Sequence, residues 1–217
     1  MMRSMREYLK GKTVAIVGPA QSIEGSNNGE LIDSHDVVVR LNYANIGNPK
    51  DSGTKTDIVY YDGSNHNYDN VTLEYLICSY PTTEWFFAHR CLALALHNTD
   101  KYKNRFKIID KSLYNSIKTA LDPKQKSRPN TGLIAIADLL SYNIKSLFIT
   151  GLDFYRSSYA KEHPDFGGQK LKKVKKIFKA GDNGDCHDPE RQFQYFKNKL
   201  YRDPRIKVDD FLKGYLD

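Results

Sequence analysis

Residues 128–159 read RPNTGLIAIADLLSYNIKSLFITGLDFYRSSY, and this stretch decides the fold class. A polar turn feeds Thr131–Leu140, where Leu133, Ile136, Ala137 and Leu140 recur at helical spacing. Leu147–Thr150 follows as a short apolar strand, with Tyr155 and Tyr159 just beyond its carboxyl end. In an open α/β sheet, ligands bind outside that end. Upstream, Thr13–Val17 (TVAIV) is a β-branched run stopping at Gly18, which predicts a first, central strand. Val37–Leu41 and Asp57–Tyr61 predict two more; Tyr75–Ser79, Trp85–Ala88 and Lys107–Ile109 are shorter candidates. Downstream, Phe193, Phe196 and Leu200 share a face of a predicted helix over Pro189–Leu200, with Asp188 as N-cap and Pro189 in its first turn. Strands alternating with helices imply a Rossmann-like, doubly wound, mostly parallel α/β sheet. A single domain over residues 1–217 is expected, with a lid segment at about 156–186, because a lysine-rich stretch there lies between Gly167-Gly168 and Gly181.

Composition narrows the function classes. The chain has 217 residues, 40% of them hydrophobic, and 15 tyrosines, enough for a packed core and against disorder. A formal charge of +7 favours anionic partners such as nucleotides, acidic glycans or anionic membrane surfaces. Cys78, Cys91 and Cys186 are too few and too irregular for a disulfide scaffold or a zinc site. Unpaired thiols in a reducing compartment are the expectation, hence a cytoplasmic protein. No run of 18 apolar residues predicts a membrane span, and MMRSMREYLKGK lacks an apolar signal core. Lys170–Lys179 holds six lysines with Leu171, Val174 and Phe178 on one helical face. That stripe suits either a solvated surface helix or peripheral contact with the inner face of a membrane. Aromatic residues do not interleave the lysines in the manner of a nucleic-acid platform, so no nucleic acid is expected. Oligomeric state is left open by the sequence.

Polar residues gather where the strands end. Gly18 to Ser22 follow the first strand and fit a phosphate cradle or a plain turn; Gly18, Gln21 and Ser22 are the candidates there. The run is neither a dinucleotide fingerprint nor a P-loop. Asn42 and Asp62 end the next two strands. Arg128 precedes a helix start that Asn130 or Thr131 could cap, and such a start attracts phosphate. The phenols of Tyr155 and Tyr159 either pack or donate to a departing phosphate. His187, before the Asp-Pro helix start, can serve as a general base near pH 7. No pair of histidines has metal-ligand spacing, so no metal site is expected.

These residues resemble a known family. Arg128-Pro-Asn-Thr-Gly132, Gly151-Leu-Asp-Phe-Tyr155, Ser157-Ser-Tyr159 and Cys186-His187-Asp188 resemble the core of bacterial lipooligosaccharide sialyltransferases. The run VAIVGPAQSIEGSNNGELIDSHDVVVRLN resembles the long sialyl motif of animal-type enzymes. Asn130-Thr-Gly132 is similar to their short motif, and His187-Asp188 with Glu190 to their very short one. The resemblance implies a GT-A-variant, sialyltransferase-like fold. It implies inverting, metal-independent transfer of a sialic acid, or a related ulosonic acid such as Kdo, from a CMP-sugar to a glycan hydroxyl. His187 would match the general base, and Tyr155 and Tyr159 the hydroxyls that stabilise the leaving phosphate. Asn42, Arg128, Asn130, Thr131, Gly132 and Asp153 would match donor-side positions. The implied acceptor is a lipopolysaccharide or capsule glycan. Pro19 replaces an asparagine usual in the family, Asp62 stands where the bacterial enzymes tend to have asparagine, and only His163 is a candidate for a further motif histidine. The alternative is a non-catalytic CMP- or glycan-binding module on the same fold.

Overall fold

The structure is a computed structural model that describes residues 4–63, 68, 71–81, 105–123, 127–173 and 187–217. Its framework is a seven-stranded sheet in the order β5-β4-β3-β2-β1-β6-β7. The strands are β1 (Thr13–Val17), β2 (Val37–Leu41), β3 (Ile58–Tyr61), β4 (Tyr75–Cys78), β5 (Phe106–Ile108), β6 (Ser146–Thr150) and β7 (Ile206–Val208). Every pairing is parallel, so the sheet is wholly rather than mostly parallel among the described residues. The order runs outward in both directions from β1, which sits between β2 and β6 with Val17 beside both Arg40 and Thr150. That reversal is a topological switch point, where the loops on the two sides diverge and leave a crevice.

Strand alternation splits the core between the two faces of the sheet. Val14, Ile16, Val37 and Val39 join the larger core, and Ala15, Val17, Val38 and Phe148 the smaller. Both faces are covered, so β1 and β2 read as continuous apolar runs rather than alternating ones. Helices α1 (Met5–Leu9), α2 (Gly29–Asp33) and α3 (Pro49–Ser52) are single turns or little more, followed by α4 (Lys111–Leu121), α5 (Thr131–Leu140), α6 (Pro189–Tyr195) and α7 (Asp210–Lys213). The longest, α4, and the last strand, β7, have no counterpart in the sequence reading. α5 is buried from Thr131 through Leu139, so its apolar residues extend beyond one stripe. Asp138 is the charged exception: Tyr60 donates its hydroxyl to it at 2.6 Å, and burial pushes its carboxyl up to about 6.

Several expected elements shift. Asp57 stands outside β3 because its backbone and side chain serve neighbours: Val38 N–H donates to its carboxylate at 2.7 Å, and Glu74 N–H to its carbonyl at 2.7 Å. The predicted helix Pro189–Leu200 is α-helical to Tyr195 and widens into a π-turn over Phe196–Leu200. There Tyr201 N–H reaches the Phe196 carbonyl at 2.8 Å. Cys78 is disulfide-bonded, which corrects the expectation of three unpaired thiols; its partner lies outside the described residues. The candidate strand Trp85–Ala88 and most of the lysine-rich stretch also lie outside them. Of the expected lid, residues 156–173 are a run of turns ending in the first turn of a helix. Among the described residues no helix is long and apolar enough to cross a membrane.

Candidate active site

The carboxyl ends of β1, β2, β3, β4 and β6 open onto one cavity of about 320 Å³. β1 leads to Pro19 and Ala20, β2 to Asn42 and Tyr43, β3 to Asp62, β4 to Tyr80, and β6 to Gly151–Tyr155, all in its wall. The start of α5 adds Arg128, Asn130, Thr131 and Gly132, and the approach to α6 adds His187. Residues 60 positions apart in sequence meet here because the switch point gathers strand ends from both halves of the sheet.

His187 enters in a defined orientation. Its Nδ1 lies 3.0 Å from the carbonyl oxygen of Arg128. A carbonyl only accepts, so in the neutral ring Nδ1 carries the hydrogen and Nε2 is the basic nitrogen. Asp188 secures the same turn: its amide donates to Ser127 Oγ at 3.1 Å, while its carboxylate caps Glu190 and Arg191 N–H at 3.0 and 3.1 Å.

The tyrosines form a joined pair. Their ring centroids are 6.3 Å apart and nearly perpendicular. Tyr155 hydrogen-bonds both Tyr159 and the side chain of Asn130, and burial pushes its phenol up to about 12. Burial, then the neighbouring Tyr155, raise Tyr159 well above the ordinary phenol value, with Asp153 and Asp62 adding to the effect. Both phenols therefore keep their protons at neutral pH. Phe154 and Tyr155 both have positive φ, 53° and 63°. Such backbone is costly for residues with a side chain and concentrates at functional sites. Asp153 holds the turn: Ser157 N–H and Arg156 N–H donate to its carboxylate at 2.9 and 3.2 Å, and the Ser157 hydroxyl adds a short bond. Asp153 lies in the cavity wall, as the donor-side expectation required, with its oxygens engaged by the turn.

Asn42 stands at the end of β2 in the cavity wall. Its backbone is left-handed, φ 50°, and its side-chain oxygen is buried with no hydrogen-bond partner. A buried acceptor left unsatisfied costs about 1–3 kcal/mol. Asn130, rather than Thr131, caps α5, accepting from Leu133 N–H at 2.8 Å, and Gln192 Oε1 receives its backbone N–H at 3.0 Å. Gly132 lets α5 start close against the end of β6: a Cβ there would stand 2.6 Å from Leu152 Cδ1, and the leucine side chain would have to shift. Arg128 lies over the Tyr80 ring at 5.2 Å.

The loop after β1 departs from expectation. Gly18, Gln21 and Ser22 do not line the cavity. The amides of Gly18, Ala20 and Gln21 donate to Thr150, Gly151 and Ser158 carbonyls at 2.9, 2.8 and 2.7 Å, and Ser22 N–H donates to Ser157 Oγ at 3.0 Å. These N–H groups are occupied within the fold, and Pro19 and Ala20 are the residues of the loop that reach the cavity. Gly18 is needed because a Cβ would come within 2.2 Å of the Gly151 carbonyl oxygen.

The sequence reading missed Tyr43, Tyr80 and Asp165 in the wall, and underweighted His163. Tyr43 donates to Asp165 at 2.9 Å, and His163 Nδ1 accepts from the amides of Asp165 and Phe166, both at 3.2 Å. His163 packs on Tyr159 with ring centroids 4.3 Å apart. Only the position of Tyr43 beside Asn42 and of Tyr80 after a strand signalled them. Among the described residues no group of His, Cys, Asp and Glu is gathered to hold a metal ion.

Fold and site together define a doubly wound α/β protein with its ligand cavity at the switch point. A family model for glycosyltransferase family 29 (sialyltransferase) matches residues 4–140, well over half of the chain. The chain belongs to that family and is a glycosyltransferase of the sialyltransferase type. Among solved structures it is similar to a mammalian sialyltransferase in complex with Gal-beta-1-3GalNAc-ortho-nitrophenol. That match has a TM-score of 0.59 and 18% identity, covering 94% of this chain and 71% of that one. It is similar to the monofunctional alpha-2,3-sialyltransferase Cst-I from Campylobacter jejuni, with a TM-score of 0.56 and 17% identity over 96% of this chain and 78% of that one. It also resembles CstII from Campylobacter jejuni in complex with the substrate analogue CMP-3FNeuAc, at 0.53 and 19%, covering 91% and 81%. At such identities the likeness concerns the fold. No curated protein matches the chain.

Proposed function

We propose that this chain transfers a sialic acid, or a related ulosonic acid such as Kdo, from a CMP-activated donor to a glycan hydroxyl, with inversion and without a metal. One observation carries the reading: His187, Tyr155, Tyr159 and Asn42, whose side-chain oxygen has no hydrogen-bond partner, share one cavity at the switch point. CstII, a structural neighbour, was solved with CMP-3FNeuAc, and a mammalian sialyltransferase with Gal-beta-1-3GalNAc-ortho-nitrophenol, which supports cytidine donors and glycan acceptors.

In this mechanism His187 Nε2 takes the proton of the acceptor hydroxyl. The hydroxyl oxygen forms the new bond to the anomeric carbon as the bond from that carbon to the phosphate oxygen breaks. The electron pair leaves with CMP. Arg128 and the protonated tyrosines stabilise the charge on the departing phosphate, and help the rate insofar as they bind it more tightly than the ground state. Asn42 and the start of α5 at Thr131 and Gly132 hold the donor. Peripheral membrane contact through Lys170–Lys179 and a lipopolysaccharide or capsule acceptor belong to the same proposal. The Cys78 disulfide argues against a reducing compartment.

Asp62 and Pro19 in the wall favour one second reading, a CMP- or glycan-binding module without turnover. His187→Ala with CMP-sialic acid and CMP-Kdo separates the two. The transferase reading expects wild-type turnover and a loss of about 10²–10⁴-fold in the variant, with CMP still stabilising both proteins to heat. No thermal response to CMP, or no wild-type turnover of any cytidine-activated donor, overturns it.

A further inference from the structure

We propose that Arg156 is a positioning residue, clamping the tyrosine turn onto the helix that follows His187. The proposal rests on the sialyl-transfer reading and adds a residue that no motif of the chain includes.

Arg156 follows Tyr155 directly but does not line the cavity. Its side chain turns to the opposite side, onto α6. There Nη2 lies 2.9 Å from Glu190 Oε2, and the guanidinium sits over the Phe193 ring at 4.0 Å. Glu190 is held in turn by Gln194, whose amide donates to Oε1 at 2.9 Å. The Arg156 side chain is 15% exposed, whereas that of Glu190 is 61% exposed. The planar stack on Phe193 therefore contributes more than the ion pair, which water screens.

The position of this contact gives it a function. Phe154 and Tyr155 hold left-handed backbone, which relaxes unless its surroundings over-determine it. Asp153 fixes the amide side of the turn, receiving Arg156 N–H at 3.2 Å. The Arg156 side chain fixes the far side to α6, whose first turn follows His187 by two residues. Phe154 packs on the same helix, 6.1 Å from Phe193 and 4.8 Å from Phe196 between ring centroids. One residue thus links the segment carrying the phosphate-facing phenols to the segment carrying the base. Misplacing a reacting group by about 1 Å costs on the order of 10²-fold in rate.

The test compares Arg156→Ala, Arg156→Lys, Glu190→Gln and the double variant R156A/E190Q in the full chain, with CMP-sialic acid as donor. Arg156→Ala should lower kcat by about ten- to a hundredfold, with a smaller change in donor KM and in the melting temperature. Arg156→Lys keeps the charge but loses the planar stack, and should fall between wild type and alanine. The double variant should be no slower than Arg156→Ala, because the glutamate acts through the arginine. An active wild type with R156A within twofold of it overturns this proposal alone. So do losses that multiply in the double variant, or a kcat loss matched by the loss of folded protein. A wild type that turns over no cytidine-activated donor overturns the underlying reading, and this proposal with it.

Discussion

Replacing Asp138 with asparagine should stabilise the protein above pH 6 and leave it nearly unchanged at pH 4. Asp138 lies in the last turns of α5 with 7% of its surface exposed, bonded to the Tyr60 hydroxyl at 2.6 Å. Burial raises its carboxyl from 3.8 to about 6; the Tyr60 bond and the nearby Lys107 lower it only partly, while Asp110 adds to the rise. A group whose pKa is higher in the folded than in the unfolded chain stabilises the fold fully below the unfolded value, and that contribution is lost as pH rises through the folded one. The window here is about pH 4 to 6, and the difference corresponds to about 3 kcal/mol. Asparagine keeps an acceptor for Tyr60 without the charge. Its new N–H groups need partners, so a net gain at pH 7 of about 1–3 kcal/mol is expected. At about 2–4 °C per kcal/mol for a chain of this size, that is several degrees in melting temperature. Thermal unfolding of both proteins from pH 4 to 8 measures it, with the variant-minus-parent difference cancelling the acidic groups common to both. A difference that stays flat across that range, or one that grows toward acid, refutes the assignment of a strained buried charge at this site.

Two further outcomes follow from the site. The pH–rate profile should show no tyrosine-linked fall below about pH 11, since burial pushes Tyr155 up to about 12 and raises Tyr159 well above the ordinary phenol value. An alkaline limb near pH 10 that disappears in Tyr155→Phe would contradict the half-buried, protonated pair. Gly18→Ala should destabilise the protein by about 3 kcal/mol or more, because the added methyl meets the backbone oxygen of Gly151 at 2.2 Å. Chemical denaturation checks this, and a midpoint equal to that of the parent would show that β1 and β6 can separate freely at the switch point.

Periodicity alone located much of the framework. Thr13–Val17, Val37–Leu41 and Thr131–Leu140 fall where their apolar patterns end, because both faces of a parallel sheet and a buried helix demand apolar residues locally. Elements whose stability comes from neighbours were not legible. β7 is three residues long, and its identity as a strand lies in its pairing with β6. α4 is a different case: Tyr114, Ile117 and Leu121 form one buried face behind an Asp110 cap that accepts from Ser112 and Leu113 N–H at 2.8 and 3.1 Å, so its signal was in the sequence and the reading passed over it.

The site divides in the same way. The chain by itself determined which chemical groups were available: an imidazole before a capped helix, phenols after a strand, an amide at a strand end. Tertiary structure decided how they are used. It took the amides after β1 for pairing with residues 150–158 and the Asp153 carboxylate for a turn. It also left the side-chain oxygen of Asn42 without a hydrogen-bond partner and brought Tyr43, Tyr80 and His163 into the wall. Hydrogen-bond assignments of this kind depend on which backbone groups meet across the switch point, and spacing along a single chain carries no information about that meeting.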